Sequence, residues 1–284
     1  MGVEVSRKNY LIFLSLIQIF FLFLIPEYYS PEQEELHEIL KKCADYCENL
    51  ANLSLNFICK EIIEEKIYII PSYLTMSLHS IFSTITYYSK IERNTYIYDY
   101  QLIKRGNKIE EKRILLEENG RKVYVKNAPL KTKRFYSIRP VFAPIQFLSR
   151  NWQKNYEYKI IKQERINGRQ IIVIRALPKD KKNFKKINYG KVWIDKEDFS
   201  ILKIEIEQES LIGFEKIPQK YLKPVFTVIH FYEAEKNGIR FPSKTVFKEN
   251  YIMMKYGKKL IKKSETIISY DNYRFFTVKV EVEY

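Results

Sequence analysis

The chain has 284 residues, of which 46% are apolar and 15% are aromatic. This composition is typical of a globular protein with a core and excludes a disordered or fibrous chain. Lysine and arginine number 49 against 34 aspartates and glutamates, so the formal net charge is +15. The three histidines and eight glycines disfavour a histidine-rich metal enzyme and a glycine-loop nucleotide enzyme. The positive charge suits nucleic acid, anionic lipid or an acidic partner, and an AT-rich genome explains it equally well.

The N-terminal segment has the layout of a secretory signal. Arg7 and Lys8 precede an apolar run that Pro26 ends, and the run is shorter than the ~20 apolar residues of a membrane-spanning helix. No cleavage site with small residues follows Pro26. Residues 1–30 are therefore predicted to be a signal peptide or an uncleaved N-terminal anchor, and residues 31–284 a single exported domain.

The three cysteines fit an oxidising compartment. Cys43 and Cys47 lie one turn apart on a predicted helix, and Cys59 lies in a strand-like stretch. Two cysteines on one helical turn rarely satisfy disulfide geometry, whereas a helix residue can meet a strand residue beneath it. We predict a disulfide between Cys47 and Cys59, with Cys43 free. A three-thiol metal site and three buried free thiols remain as alternatives.

One helix and a long series of strands follow the signal. Pro31 to Leu53 forms an amphipathic pattern, with Ser30 as a cap and acidic residues in the first turn. From Leu55 onward the apolar residues recur with period two, as in β-strands. The predicted strands are Leu55 to Ile70, Thr95 to Arg105, Ile109 to Glu118, Arg121 to Lys126, Tyr156 to Glu164, Gln170 to Leu177, Tyr189 to Asp195, Ile201 to Gln208, Val225 to Glu233, Ile239 to Tyr251, Leu260 to Tyr270 and Phe275 to Tyr284.

Turn chemistry joins these strands into hairpins. Each predicted two-residue turn pairs residues that tolerate positive φ: Gly106-Asn107, Asn119-Gly120, Asn167-Gly168 and Asn237-Gly238. A fifth, longer turn runs from Asp195 to Asp198, and Asp195 is expected to cap it. In the strand that follows, alternation predicts Leu202, Ile204 and Ile206 on one dry face.

Three segments interrupt the strands. Pro71 to Lys90 is apolar and is predicted to be an inserted helix or lid, with an ordinary surface insertion as the alternative. Tyr136 to Asn155 is predicted to hold a short helix with Pro144 in its first turn. The basic loop Pro178 to Lys186 is predicted to be a solvated linker, with anion binding as the alternative.

The predicted architecture is mainly β with helices (α+β). A long antiparallel sheet has more apolar face than one helix can cover, so we expect it to curve into an unclosed half-barrel. The N-terminal helix and short lid helices would cover the concave face, and a fully packed core is the alternative. Alternation gives these candidate lining residues for an apolar ligand: Tyr98, Tyr100, Leu102, Phe147, Trp152, Tyr158, Val192, Ile194, Ile204, Phe226 and Phe247.

The hairpin from Tyr189 to Glu205 carries a family resemblance. Its sequence, YGKVWIDKEDFSILKIE, resembles the recurrent Trp-Ile-Asp hairpin of the LolA-type outer-membrane lipoprotein-sorting proteins and their relatives. The resemblance implies an unclosed barrel of about eleven antiparallel strands with helices as a lid. It also implies binding of acyl chains or other hydrophobic ligands in the periplasm. No motif of this chain maps onto the ligand-contacting residues of those carriers.

The sequence contains no catalytic motif. His37, His79 and His230 stand in unrelated contexts, so we predict a protein that is not an enzyme and holds no cofactor or metal. Nucleic acid is excluded as a partner because the chain is exported and its basic residues are dispersed.

The predicted function is a periplasmic carrier that holds an acyl chain of a lipid or lipoprotein. Its outward lysines favour an anionic membrane surface, and an uncleaved N-terminal segment would tether it to the inner membrane. The alternative is an envelope regulatory or scaffolding module with a packed core that binds another protein.

Overall fold

The computed structural model describes residues 31–52, 56–69, 90–105, 108–134, 139–180, 182–183, 186–207, 222–253 and 259–276. The predicted signal segment, the turn at Gly106-Asn107 and the insertion between Ile69 and Lys90, with His79, lie outside the described residues. The chain divides into two units, residues 1–39 and 40–284. The predicted domain boundary at residue 30 stays a prediction.

The described elements are one long helix, eleven strands and three short helical turns. The helix α1 spans Pro31–Asn52, and residues 31–39 of it form the described part of the first unit. All other elements belong to the second unit. They are β1 (Phe57–Ile69), β2 (Lys90–Arg105), β3 (Lys108–Glu118), β4 (Arg121–Lys126), a 3₁₀ helix (Pro140–Phe142), α2 (Ala143–Leu148), α3 (Arg150–Gln153), β5 (Tyr156–Ile166), β6 (Arg169–Pro178), β7 (Gly190–Asp195), β8 (Ile201–Ile206), β9 (Leu222–Lys236), β10 (Ile239–Met253) and β11 (Lys259–Phe275).

All eleven strands form one antiparallel sheet in the order β4-β3-β2-β1-β11-β10-β9-β8-β7-β6-β5. The first and last strands pair at its centre, where Ile63 lies opposite Ile268. The sheet is not closed into a barrel, because β4 and β5 form its two edges. This confirms the predicted fold class, a mainly β chain with an unclosed half-barrel.

The Asn-Gly turns have the conformation that their sequence predicts. In the turns at Asn119, Asn167 and Asn237, the asparagine and the following glycine all have positive φ, between 49° and 83°. That pair of conformations is the type I′ turn, whose twist matches the strands it joins. The longer turn is capped as expected, since Asp195 Oδ1 accepts a hydrogen bond of 2.9 Å from the Glu197 N–H.

One connection does not follow the meander. Strands β4 and β5 are consecutive in sequence but lie at opposite edges of the sheet. The chain between them therefore has to cross the whole sheet. This crossing carries the 3₁₀ helix, α2 and α3, and it brings them onto one face.

Candidate functional site

The face that the crossing chain covers is the candidate site, and we call it the inner face. Directly opposed residues of antiparallel strands share a face. The strand register links Tyr98 of β2 to Glu61 of β1, His230 of β9 to Thr245 of β10, and Ile204 of β8 to Val192 of β7. Alternation along the strands joins these pairs into one continuous surface.

The predicted lining residues that belong to strands share this surface. All the predicted lining residues except Trp152 and Tyr158 are buried, with at most 4% of their surface exposed. Trp152 and Tyr158 are partly exposed. Phe147 and Trp152 come from α2 and α3, and the others come from strands of the sheet. Whether they contact a ligand stays a prediction, because in this structure they pack against one another and against the covering helices.

Hydrogen bonds hold the covering helices on the inner face. We call Pro140–Gln153 the covering segment. The Tyr232 hydroxyl donates to the Pro140 carbonyl at 2.8 Å, and the Tyr158 hydroxyl donates to the Phe147 carbonyl. The Phe147 ring also stacks on Tyr156 with a centroid distance of 5.8 Å. Pro144 lies in the first turn of α2, as predicted, where its missing N–H costs no hydrogen bond.

The cysteines correct a prediction from sequence. Cys43, Cys47 and Cys59 are all free and buried, so the structure does not contain the predicted disulfide between Cys47 and Cys59. The physical reason is the direction of the helix face. The Cys47 thiol points to the covering segment, where it donates to the Pro144 carbonyl at 3.4 Å, instead of meeting β1.

The reactivity of the three thiols tests whether the disulfide is absent. Burial raises the pKa of Cys43 to about 12, and burial also raises the pKa values of Cys47 and Cys59. Because the thiolate is the reactive form, we expect none of the three to react with a disulfide reagent in the native protein. All three should react after denaturation without a reductant. A single reactive thiol under those conditions would restore the predicted disulfide.

Buried carboxylates on the inner face were missed by the sequence analysis. Glu61 is 1% exposed, and the Arg113 guanidinium binds both of its oxygens, at 2.6 and 3.1 Å. The same guanidinium lies 4.4 Å from the centre of the Tyr100 ring. Burial acts to lower the pKa of Arg113, but the adjacent Glu61 carboxylate raises it above its usual value.

Two further carboxylates fix the chain that leaves β4, residues 127–134, which we call the strap. Glu65 accepts hydrogen bonds from the main-chain N–H groups of Lys133 and Arg134, at 3.0 and 2.9 Å. The Arg134 guanidinium in turn donates to Glu249 at 2.9 Å. Glu249 also accepts from the Ser264 hydroxyl at 3.0 Å. The strap is therefore bound to β1 and β10 through groups that water cannot easily reach.

The signal for this polar region was present in β1. Phe57, Cys59, Ile63 and Ile67 alternate on the inner face, and Glu61 and Glu65 share their phase. A carboxylate in phase with buried residues predicts a buried charge that needs a partner. The inner face is thus apolar under the covering segment and polar under the strap.

His230 is a fully buried titratable group of the inner face. Its side chain is fully buried, and its Nδ1 lies 2.9 Å from the Thr245 hydroxyl. Burial lowers the pKa of His230 to about 3, so the imidazole is neutral at physiological pH. The hydrogen bond to Thr245 satisfies Nδ1 only. Within the described part of the chain, neither His230 Nε2 nor Thr266 Oγ1 has a hydrogen-bond partner.

The opposite face of β5 to β8 has a small apolar cluster of its own. Ile171, Val173 and Trp193 are buried there, and Leu202 packs against them. The prediction that Leu202 shares the dry face of Ile204 is wrong. The register between β7 and β8 shifts at Trp193, and such an irregularity turns a side chain to the other face.

An open groove of about 680 Å³ lies between the second half of α1 and two of the turns. Its two aspartates are paired with arginines, Asp45 with Arg150 at 3.0 Å and Asp198 with Arg169 at 3.3 Å. The polar lining suits a polar partner better than an acyl chain. The lining residues are Lys42, Asp45, Tyr46, Asn49, Asn52, Asp198, Phe199, Asn237, Gly238 and Ile239.

Within the described ranges, no group of three or more histidine, cysteine, aspartate or glutamate side chains is arranged to hold a metal ion. No helix within those ranges combines the length and hydrophobicity that crossing a bilayer requires.

Comparisons with known proteins give likenesses at low identity. A protein-family model described as an uncharacterized protein matches residues 146–212. A search of curated proteins found no match.

Among solved structures, the chain is similar to a LolA superfamily protein from Nitrosomonas europaea, at 9% identity and a TM-score of 0.34, covering 84% of this chain and 94% of that chain. It is similar to an outer membrane lipoprotein-sorting protein domain from Vibrio parahaemolyticus, at 13% identity and a TM-score of 0.39, covering 85% and 94%. It is also similar to the MucA/MucB complex structure from Pseudomonas aeruginosa, at 8% identity and a TM-score of 0.23, covering 85% and 99%. The names of the first two contain the family name that the Tyr189 hairpin suggested.

Proposed function

We propose that this protein is a periplasmic carrier that holds an acyl chain of a lipid or lipoprotein on the inner face. The observation that carries this proposal is the single unclosed sheet. Its inner face is covered by short helices and a strap instead of a second sheet. Short helices can move away from a sheet at much lower cost than a paired strand, so apolar surface can be made available to a ligand.

The covering segment is the proposed entrance. Few polar contacts hold it to the sheet, among them the hydrogen bonds of Tyr232 and Tyr158 to its carbonyl groups. An acyl chain that replaced Phe147 on the inner face would gain ~25 cal/mol for each Å² of apolar surface removed from water. No catalytic group is needed for such binding, which agrees with the prediction of a protein that is not an enzyme.

The proposed carrier is exported and contacts a membrane surface. The basic residues Arg7 and Lys8 before an apolar run support export, and an uncleaved segment would tether the protein to the inner membrane. Exposed lysines such as Lys223 and Lys244 on the outer face would favour an anionic membrane surface, where cargo is collected or delivered.

A second candidate function is an envelope regulatory or scaffolding module. The observation in its favour is the close packing of the inner face, where Tyr98, Ile204 and Phe247 have no exposed surface at all. A full core leaves no room for cargo unless the covering segment moves. The polar groove beside α1 would then be the surface for a protein partner.

Lipid extraction separates the two candidates. Solvent extracts of the purified full chain should contain co-purifying lipid, identified by mass spectrometry, if the protein is a carrier. An extract without lipid, from protein prepared without detergent, would favour the regulatory module.

The two tryptophans of the chain provide a second measurement. In the Trp193→Phe variant, Trp152 of the covering segment is the remaining tryptophan. We expect its emission to shift to shorter wavelength when methyl palmitate is added, because the ligand replaces water near the indole. The matched control is Trp152→Phe, which keeps only Trp193 on the opposite face and should show no shift. Equal shifts in both variants would indicate nonspecific adsorption.

A further inference from the structure

We propose that the inner face binds the neutral polar group of its ligand, an ester or amide, at His230 Nε2 and Thr266 Oγ1. This inference rests on the proposed carrier function and names its ligand class. An ordinary fatty acid, with a charged carboxylate, would be a poorer ligand than its neutral ester.

His230 Nε2 is a buried polar atom of the inner face. Among the described residues, Nε2 has no hydrogen-bond partner although the side chain is fully buried. Buried polar atoms are nearly always paired, because an unpaired one loses its hydrogen bonds to water. A missing partner inside a proposed ligand site indicates that the partner is supplied from outside the chain.

His230 shares its strand and its face with a residue that binds the covering segment. Tyr232 lies two residues from His230 on the same strand and face, and its hydroxyl contacts Pro140 at 2.8 Å. His230 therefore lies two residues along β9 from the residue that binds the start of the covering segment. A ligand that entered beneath Pro140 would lie on the same face of the sheet as His230.

Thr266 Oγ1 is a second buried polar atom on the same face. Thr266 is fully buried, and its hydroxyl has no partner in the described part of the chain. Its opposite residue on β10 is Phe247, one of the predicted lining residues. Phe247 therefore offers apolar surface, and Thr266 offers a polar group on the neighbouring strand. An acyl chain that carries an ester or amide needs both kinds of contact side by side.

The charged groups beside Thr266 disfavour an anionic ligand. The residue opposite Thr266 on β1 is Glu65, whose carboxylate is bound by main-chain N–H groups and by Asn94. Lys133 binds Glu65 through its main-chain N–H but pairs its ammonium group with Glu92. The negative charge of Glu65 would repel an anionic headgroup in this buried setting. Burial keeps the His230 imidazole neutral, so it offers no compensating positive charge.

The experiment compares methyl palmitate with palmitic acid at neutral pH, read by Trp152 emission in the Trp193→Phe background. Because Glu65 repels the charge of the acid, the ester should bind at least about tenfold more tightly than the acid. One buried hydrogen bond contributes about tenfold in affinity, so His230→Leu and Thr266→Val should each weaken the binding of the ester by about tenfold. Thr227→Val, on the outer face of the same strand as His230, is the matched control and should keep the preference.

A nuclear magnetic resonance measurement on the unaltered protein covers the case in which a variant fails to fold. The ¹⁵N resonance of His230 Nε2 should move when methyl palmitate is added. Equal affinities for ester and acid, or an unmoved resonance with bound ester, would overturn the inference and leave these atoms to buried water. If neither probe binds and no lipid is extracted, the carrier function itself is wrong and the inference falls with it.

Discussion

Replacing Gly190 with alanine is expected to lower the free energy of unfolding by at least about 3 kcal/mol. Gly190 begins β7 and lies opposite Ile206 of β8. An added Cβ atom would lie 2.0 Å from the main-chain oxygen of Glu205 and 3.0 Å from the Cα of Ile206. Both are backbone atoms of a paired strand, so the overlap cannot be relieved by rotating a side chain.

The matched control is Gly168→Ala in the turn between β5 and β6. Gly168 has a positive φ of 83°, but an added Cβ there meets nothing within 4 Å. Its cost is the conformational term alone, about 1 to 2 kcal/mol. Urea unfolding followed by circular dichroism gives both values. Equal losses in the two variants would show that the strands separate easily at Gly190.

The close approach of Gly190 to β8 also explains why the hairpin from Tyr189 to Glu205 has a glycine near its start. Tyr189 accepts a main-chain hydrogen bond of 2.8 Å from the Glu207 N–H, which holds the ends of β7 and β8 together. At the other end, the Asp195 carboxylate caps the turn and accepts a bond of 2.7 Å from Arg169. A glycine at one end and an aspartate at the other thus fix the register of this hairpin from both sides.

Local patterns were enough to predict most of the strands. Alternation depends on side chains two residues apart, and a type I′ turn depends on two adjacent residues such as Asn167 and Gly168. Both signals are contained in a short stretch of sequence. The hairpins of β5 to β8 and of β9 to β10 are confirmed for this reason.

Long-range features were not predictable in the same way. No local pattern indicates that β1 pairs with β11, since the two strands are far apart in sequence and join only when the whole sheet forms. The crossing between β4 and β5 follows from that pairing, because it leaves these two strands at the edges. The contacts of Cys47 with the covering segment depend on this crossing, which is why spacing alone suggested Cys59 as its partner.

The inner face was predicted in its apolar part and missed in its polar part. Alternation correctly brought Tyr98, Val192 and Phe247 to one face. It could not show that Glu65 and Glu249 bind the strap, because Arg134 reaches Glu249 only after the crossing has formed. Under the proposed carrier function, ligand binding and the position of the strap are therefore expected to depend on one another.

Removing the partner of Glu61 should produce the largest loss from a single side chain. We expect Arg113→Met to reduce the free energy of unfolding by about 3 to 5 kcal/mol, the range for breaking a buried ion pair. The Glu61 side chain is 1% exposed and that of Arg113 is 14% exposed, so the carboxylate left behind would have little access to water. The double variant Arg113→Met, Glu61→Gln removes that charge and should regain much of the loss.

Arg150→Met is the matched control for this ion pair. Arg150 is 61% exposed and pairs with Asp45 and Glu48, which are 50% and 51% exposed, so its replacement should cost far less stability than that of Arg113. Chemical unfolding of the unaltered protein, Arg113→Met, Glu61→Gln and the double variant forms a cycle that separates the pair energy from the cost of burying a charge. If Arg113→Met costs no more than Arg150→Met, water reaches Glu61, and this end of the inner face is open to polar ligands.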